Sequence, residues 1–266
     1  NAALIGLGGY QDQDWLLPLF SAITGVLSLL VMFKLGNELF GARTALIATS
    51  LLVASGGGLV FSRYGQSHML AVLFFMIGFW FYCKTILSNR IKWHWLIFTT
   101  LAMALALATH PNMGPYVLTL ALGEVILLLK HNISLHEAVK RACLALTVLL
   151  FVVFSLNLPF LALRHYAGPF LLQNTGQGSW PFMTYIEQLM HHFTLVFPNE
   201  NFPSLTERIY TFVVVLWAWE GLPLIVLICA GVYWSLLRWR ELETTEWLLI
   251  AQVTIPLIFW ISTESQ

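Results

Sequence analysis

The chain has 266 residues, 58% of them hydrophobic and 10% charged, with no net charge and a mean hydropathy of +0.77. A soluble domain carries about 25% charged residues, so water is excluded as the main solvent of this surface. Zero net charge also excludes a broad basic footprint for nucleic acid, which leaves membrane lipid as the expected surrounding partner.

Charge-poor apolar stretches lie at 15–33, 42–60, 67–87, 95–108, 113–129, 142–162, 209–237 and 247–261. Their lengths are at or near the roughly 20 residues that an α-helix needs to cross a hydrocarbon core. They show neither strict alternation nor the dyad pattern of a membrane barrel, so helices are the expected way to satisfy the backbone. The expected fold is therefore all-α, a polytopic transmembrane bundle of about seven or eight spans in a single domain over 1–266.

Taken in chain order, the first informative interruption is Phe61-Ser62-Arg63-Tyr64-Gly65-Gln66-Ser67-His68, a short connection between two spans. An arginine so close to membrane depth is costly and functional by default, with an anionic partner expected. A lipid phosphate fits, because a guanidinium offers planar forked donors to phosphate oxygens; the bland alternative is snorkelling to headgroups. Further along, Thr109-His110-Pro111-Asn112 separates two short spans, 95–108 and 113–129. Short spans joined by a polar kink imply a dip in the bundle, which His110 either lines or borders as a helix cap.

The sequon Asn132-Ile133-Ser134 follows, and the connection holding it is assigned below to the cytoplasm, where it is not expected to be glycosylated. The longest connection, 163–208, opens with Arg164 and is rich in Gly, Pro, Asn and Gln. Within it Phe182, Ile186, Leu189, Met190 and Phe193 recur at helical spacing, as in an amphipathic helix lying in the membrane interface. Glu187 and His191, four apart, share one face and with His192 form a candidate site for a divalent metal; the alternative is a polar interfacial face. A connection this long is uncommon unless it acts as a lid or binding loop. Glu220, inside the apolar run 209–237, needs a partner or a wet cavity, and Pro223 is expected to bend the helix beside it.

Assigning the connections alternately to two sides puts Lys34, Arg43, Lys84, Arg90, Lys92, Lys130, Lys140, Arg141, Arg238 and Arg240 on one side, ten of the thirteen basic residues. That side is cytoplasmic by the positive-inside rule, and Trp15, Trp93, Trp95, Trp234 and Trp239 fall at expected boundaries as an aromatic belt. Cys83, Cys143 and Cys229 are far apart in sequence and are expected to be small buried side chains. The chain begins with Asn and stops at Gln266 as its last span emerges, so an internal portion of a longer protein is expected.

Asp14-Trp15, Phe20-Ser21-Ala22-Ile23-Thr24-Gly25-Val26, Leu39-Phe40-Gly41-Ala42-Arg43-Thr44-Ala45-Leu46-Ile47-Ala48, Phe61-Ser62-Arg63-Tyr64 and Met69-Leu70 follow one another in order. Together with Trp219-Glu220-Gly221-Leu222-Pro223-Leu224, this series resembles the polyprenyl-phosphate-dependent membrane glycosyltransferases of the GT-C class, specifically the protein O-mannosyltransferase and aminoarabinose-transferase-like family 39/83 group. The resemblance implies transfer of a sugar from a polyprenyl-phosphate donor to an acceptor hydroxyl on a protein or lipid. It places the reaction on the periplasmic or other non-cytosolic face of the cell (inner or cytoplasmic) membrane. Arg63 matches the Ser-Arg motif; with His68, His110, Arg164 and Glu220 it is assigned to the donor phosphate or to the cavity around it.

The sequence departs from the family at His68, which stands where an acidic residue is often found. The general-base carboxylate of the first outer loop is expected before residue 1, so neither Asp12 nor Asp14 inherits that role. Two other classes compete. A transporter or lipid flippase would use Glu124 and Glu220 as pathway groups, and a non-catalytic subunit of a membrane complex would need no base at all.

Overall fold

The computed structural model describes residues 16–55, 68–88, 92–110, 113–130, 132–175, 204–238 and 242–263. Among these the regular elements are all helical: α1 (Leu16–Phe40), α2 (Ala42–Ala54), α3 (His68–Leu87), α4 (Trp93–Thr109), α5 (Gly114–Leu129), α6 (Leu135–Thr175), α7 (Leu205–Leu237) and α8 (Thr244–Thr263).

Local chemistry sets the helix ends. Gly41, at φ +83°, takes the left-handed conformation that stops α1, and its N–H donates to the Asn37 carbonyl at 3.1 Å. His110 is extended because Pro111 follows it, so α4 ends there. Pro115 sits in the first turn of α5, where a missing N–H does no harm. Ser134 caps α6 by accepting from the Glu137 N–H at 3.2 Å. At α7, Ser204 and Glu207 form a reciprocal capping box: the Glu207 N–H donates to Ser204 Oγ, and the Ser204 N–H donates to Glu207 Oε2 at 2.7 Å. These bonds hold the Glu207 carboxyl below the usual range, the backbone bond from Ser204 contributing most.

Among the described residues, three helices are long and apolar enough to cross a membrane: Pro18–Phe40 of α1, all of α3, and Leu135–Leu156 of α6. Shorter apolar helices, α2, α4, α5 and Ile225–Ser235 of α7, accompany them. The orientation of α1 shows which solvent the fold expects. Its hydroxyl face, Ser21, Thr24 and Ser28, is fully buried, while Leu19, Ile23, Val26, Leu27 and Leu30 point outward. Buried hydroxyls are tolerated because the helix satisfies them itself: Thr24 Oγ1 donates to the Phe20 and Ser21 carbonyls at 3.0 and 2.9 Å, and Ser28 Oγ to that of Thr24 at 2.8 Å. Small polar residues inside and aliphatic residues outside is the pattern of helices packed in lipid. The chain is a multi-pass membrane protein.

Packing follows an alternating up-and-down order. α3 and α4 form an antiparallel hairpin in which His68 meets His110, Phe81 stacks on Phe98, and Lys84 reaches Trp95. α1 runs parallel to α3, since Glu38 bonds both Trp80 and Lys84. α5 packs antiparallel on α8 through Gln252 near its start and Lys130 at its end. α6 packs on α4, and α7 on α8. One core joins α1, α3, α4, α5 and α8: Leu35, Phe79, Tyr82, Cys83, Met103, Leu120 and Leu248; of the three cysteines expected to be buried, Cys83 is, while Cys143 and Cys229 are exposed.

Close helix approach depends on missing side chains. A Cβ on Gly36 would lie 3.1 Å from Ala45, and one on Gly78 would lie 3.0 Å from Met103. The tightest position is Gly123, where a Cβ would come within 2.5 Å of the Tyr82 hydroxyl and 2.7 Å of Leu248. Tyr82 and Leu248 are fully buried and cannot swing away. Gly123→Ala is therefore expected to destabilise the bundle by about 1–3 kcal/mol. Gly114→Ala, where the new methyl meets nothing within 4 Å, should be close to neutral; thermal unfolding in detergent compares the two, and equal midpoints would contradict the close fit.

Helix extents differ from the sequence reading most at α1, α2 and α6, the last of which also begins at Leu135 rather than 142. α1 continues past the expected end at 33 to Phe40, and α6 runs on from the expected end at 162 to Thr175. The apolar stretches stop at the first charges, Lys34 and Arg164, but backbone hydrogen bonds continue wherever nothing breaks them, inside lipid or out. The connection expected at 163–208 thus begins as helix. α2 is shorter than 42–60, ending at Ala54 with Ser55 extended before Gly56-Gly57-Gly58. The amphipathic segment 182–193 lies outside the described residues.

Candidate functional site

Helix alternation gives the bundle two chemically different ends. At one end α3 begins with His68 and His110 follows directly on the last residue of α4, and their rings approach to 4.2 Å between centroids at a 43° tilt. This pairing follows from the hairpin: the first residue of one antiparallel helix must face the last residue of its neighbour. Two imidazoles in contact offer hydrogen-bond donors to an anion when protonated and acceptors when neutral.

A polar seam adjoins the same half of the bundle. Tyr116, in the first turn of α5, packs its ring on Phe75 of α3 at 5.3 Å. Gln252 of α8 donates to the Tyr116 carbonyl at 3.4 Å and to the Thr119 hydroxyl, while its buried Oε1 has no hydrogen-bond partner among the described residues. One turn deeper, the Tyr82 hydroxyl donates to the Leu120 carbonyl at 3.2 Å and closes the seam toward the core. Amide and hydroxyl groups are the kind that hold hydroxyl-rich ligands in place.

Of the residues selected from sequence, His68 and His110 are brought together. Arg63, Glu187, His191 and His192 lie outside the described residues. Arg164 belongs to α6 and Glu220 to α7 by backbone, and their side chains lie outside the description. Among the described residues, no group of three or more His, Cys, Asp or Glu side chains is arranged to hold a metal ion.

The opposite end carries the bulk of the described basic groups, and sequence reasoning missed its organisation. Arg141, 4% exposed, bonds two carboxylates: Glu137 at 2.8 Å on its own helix and Glu124 of α5 at 3.2 Å. Nearby, Lys130 reaches the Thr244 hydroxyl of α8 at 3.4 Å. The i,i+4 spacing of Glu137 and Arg141 was a readable signal; the link to Glu124 was not. Glu124, weighed from sequence as a transport pathway group, is thus half of a structural ion pair.

A family model described as dolichyl-phosphate-mannose-protein mannosyltransferase matches residues 5–160, more than half of the chain. No curated protein and no solved structure matches it.

Proposed function

The chain belongs to the dolichyl-phosphate-mannose-protein mannosyltransferase family, and from that membership we propose that it transfers a sugar from a polyprenyl-phosphate carrier to an acceptor hydroxyl. The reaction belongs to the histidine end of the bundle, on the non-cytosolic face of the cell membrane. The acceptor oxygen attacks the anomeric carbon, the bond from that carbon to the carrier phosphate breaks, and a carboxylate base takes the acceptor proton. Charge grows on the departing lipid phosphate, so donors held near it lower the barrier.

Arg63, His68 and His110 are assigned to that phosphate, with Arg164 and Glu220 at the cavity. Asp12 and Asp14 are not assigned the base. The observation that supports this reading most is the contact between His68 and His110. Within residues 5–160, it gathers polar groups at the helix ends opposite the Arg141 and lysine clusters, the topology that a carrier headgroup entering from the outer leaflet requires.

The test is an assay of the purified protein with a panel of radiolabelled polyprenyl-phosphate sugars and hydroxyl acceptors. Transfer from at least one carrier is expected, with His68→Ala/His110→Ala lowering turnover on the order of a hundredfold, the scale of losing donors aimed at a developing charge. Turnover by that double variant equal to the parent would remove the pair from the site. Carrier-bound sugar that moves across the bilayer without being transferred would favour a flippase instead.

A further inference from the structure

The lysine-rich end holds a second arrangement that glycosyl transfer does not use. Lys34 of α1 lies 5.7 Å from the Trp80 ring centroid, and Lys84 of α3 lies 4.1 Å from the same ring. Lys84 is also 5.9 Å from the Trp95 ring, over which Lys92 sits at 4.2 Å. The order Lys34, Trp80, Lys84, Trp95, Lys92 interleaves three ammonium groups with two indoles across three helices. Glu38 fixes the middle of the ladder, accepting from Trp80 Nε1 at 2.8 Å and pairing with Lys84 at 3.2 Å.

We propose that this ladder is a binding site for the phosphodiester headgroup of an anionic lipid in the leaflet at the basic end. Three ammoniums and one carboxylate leave two positive charges in one patch, and like charges held together call for an anion. Lysines that merely snorkel spread their ammoniums into water; here each is within cation–π range of an indole face. Lys34 and Lys92 are exposed at the two ends of the ladder, open to a phosphate, while Lys84 is committed to Glu38. Lipid is favoured over a soluble anion by the flanks: Leu87, Ile97 and Phe98 are exposed on α3 and α4 and offer a wall for acyl chains.

Native mass spectrometry of the purified chain with phosphatidylglycerol, phosphatidylcholine or inorganic phosphate tests this, independently of any transfer activity. The parent is expected to retain phosphatidylglycerol in preference to phosphatidylcholine. Lys34→Gln/Lys92→Gln should lose roughly twenty-five-fold in affinity, the product of about a fivefold contribution per lysine near an anionic surface, and Lys34→Arg/Lys92→Arg should keep it. Lys84 is left intact so that its bridge to Glu38 holds the fold. Equal retention of the two lipids, undiminished binding by the Gln variant, or phosphate binding with the same lysine dependence and no lipid retained would each overturn the proposal.

Discussion

Replacing Arg141 with Ala is expected to lower the stability of the bundle by about 3–5 kcal/mol, the cost of breaking a buried ion pair from one side. The guanidinium is 4% exposed and lies between two carboxylates that are themselves three-quarters covered. Removing it leaves Glu124 and Glu137, both mostly covered, without the counter-charge they share. By the usual scaling for a chain of this size the midpoint of thermal unfolding should fall by roughly 6–20 °C. A compensated variant separates charge from packing: Arg141→Met with Glu124→Gln and Glu137→Gln removes the charges together and should recover most of the loss. If Arg141→Ala melted with the parent, the network would be an ordinary solvated ion pair despite its burial.

This network also bears on function. α5 enters the network at Glu124 and the histidine end at Tyr116, so one rigid helix connects the two ends of the bundle. Anchoring its lower end to α6 through Arg141 and to α8 through Lys130 fixes the register in which Tyr116, Thr119 and Gln252 meet. A polar seam made of such contacts is only as ordered as the helices that carry it.

Much of this was legible in the sequence, because lipid imposes a simple rule: a backbone without water must hydrogen-bond to itself, so long apolar stretches become helices. α3, α4 and α5 fall within two residues of their expected ends. Helix ends outside the hydrocarbon obey other rules. α2 ends before three glycines that hydropathy scores as harmless, and α6 passes Arg164 because a charge does not interrupt a helix. His68 and His110 were each legible as polar residues at helix ends, and alternation of the helices implied their meeting. Arg141 was counted only for its sign. Its pairing with Glu124 depends on how α5 and α6 are rotated about their axes, which helices apolar on every side do not specify. For the same reason the hydroxyl stripe of α1 could be read as three residues of one face, but not as the face turned inward.

The largest functional effect is expected at Arg63. Five peptide units separate it from His68, and a fully extended chain covers at most about 3.6 Å per residue, so its Cα lies no more than about 18 Å from that of the histidine. In the proposed reaction a guanidinium tethered there meets the carrier phosphate assigned to His68 and His110, and its two parallel donors suit two phosphate oxygens at once. Because negative charge on that phosphate increases as the sugar leaves, the interaction is stronger in the transition state than in the bound donor. Loss of the guanidinium should therefore appear mainly in kcat rather than KM. Arg63→Ala is expected to reduce transfer by on the order of a thousandfold, about 4 kcal/mol, with an unfolding midpoint like the parent's. Arg63→Lys, keeping the charge but not the fork, should recover part of the loss and no more. A rise in KM at constant kcat would make Arg63 a docking group for the carrier, and turnover equal to the parent's would place the phosphate elsewhere.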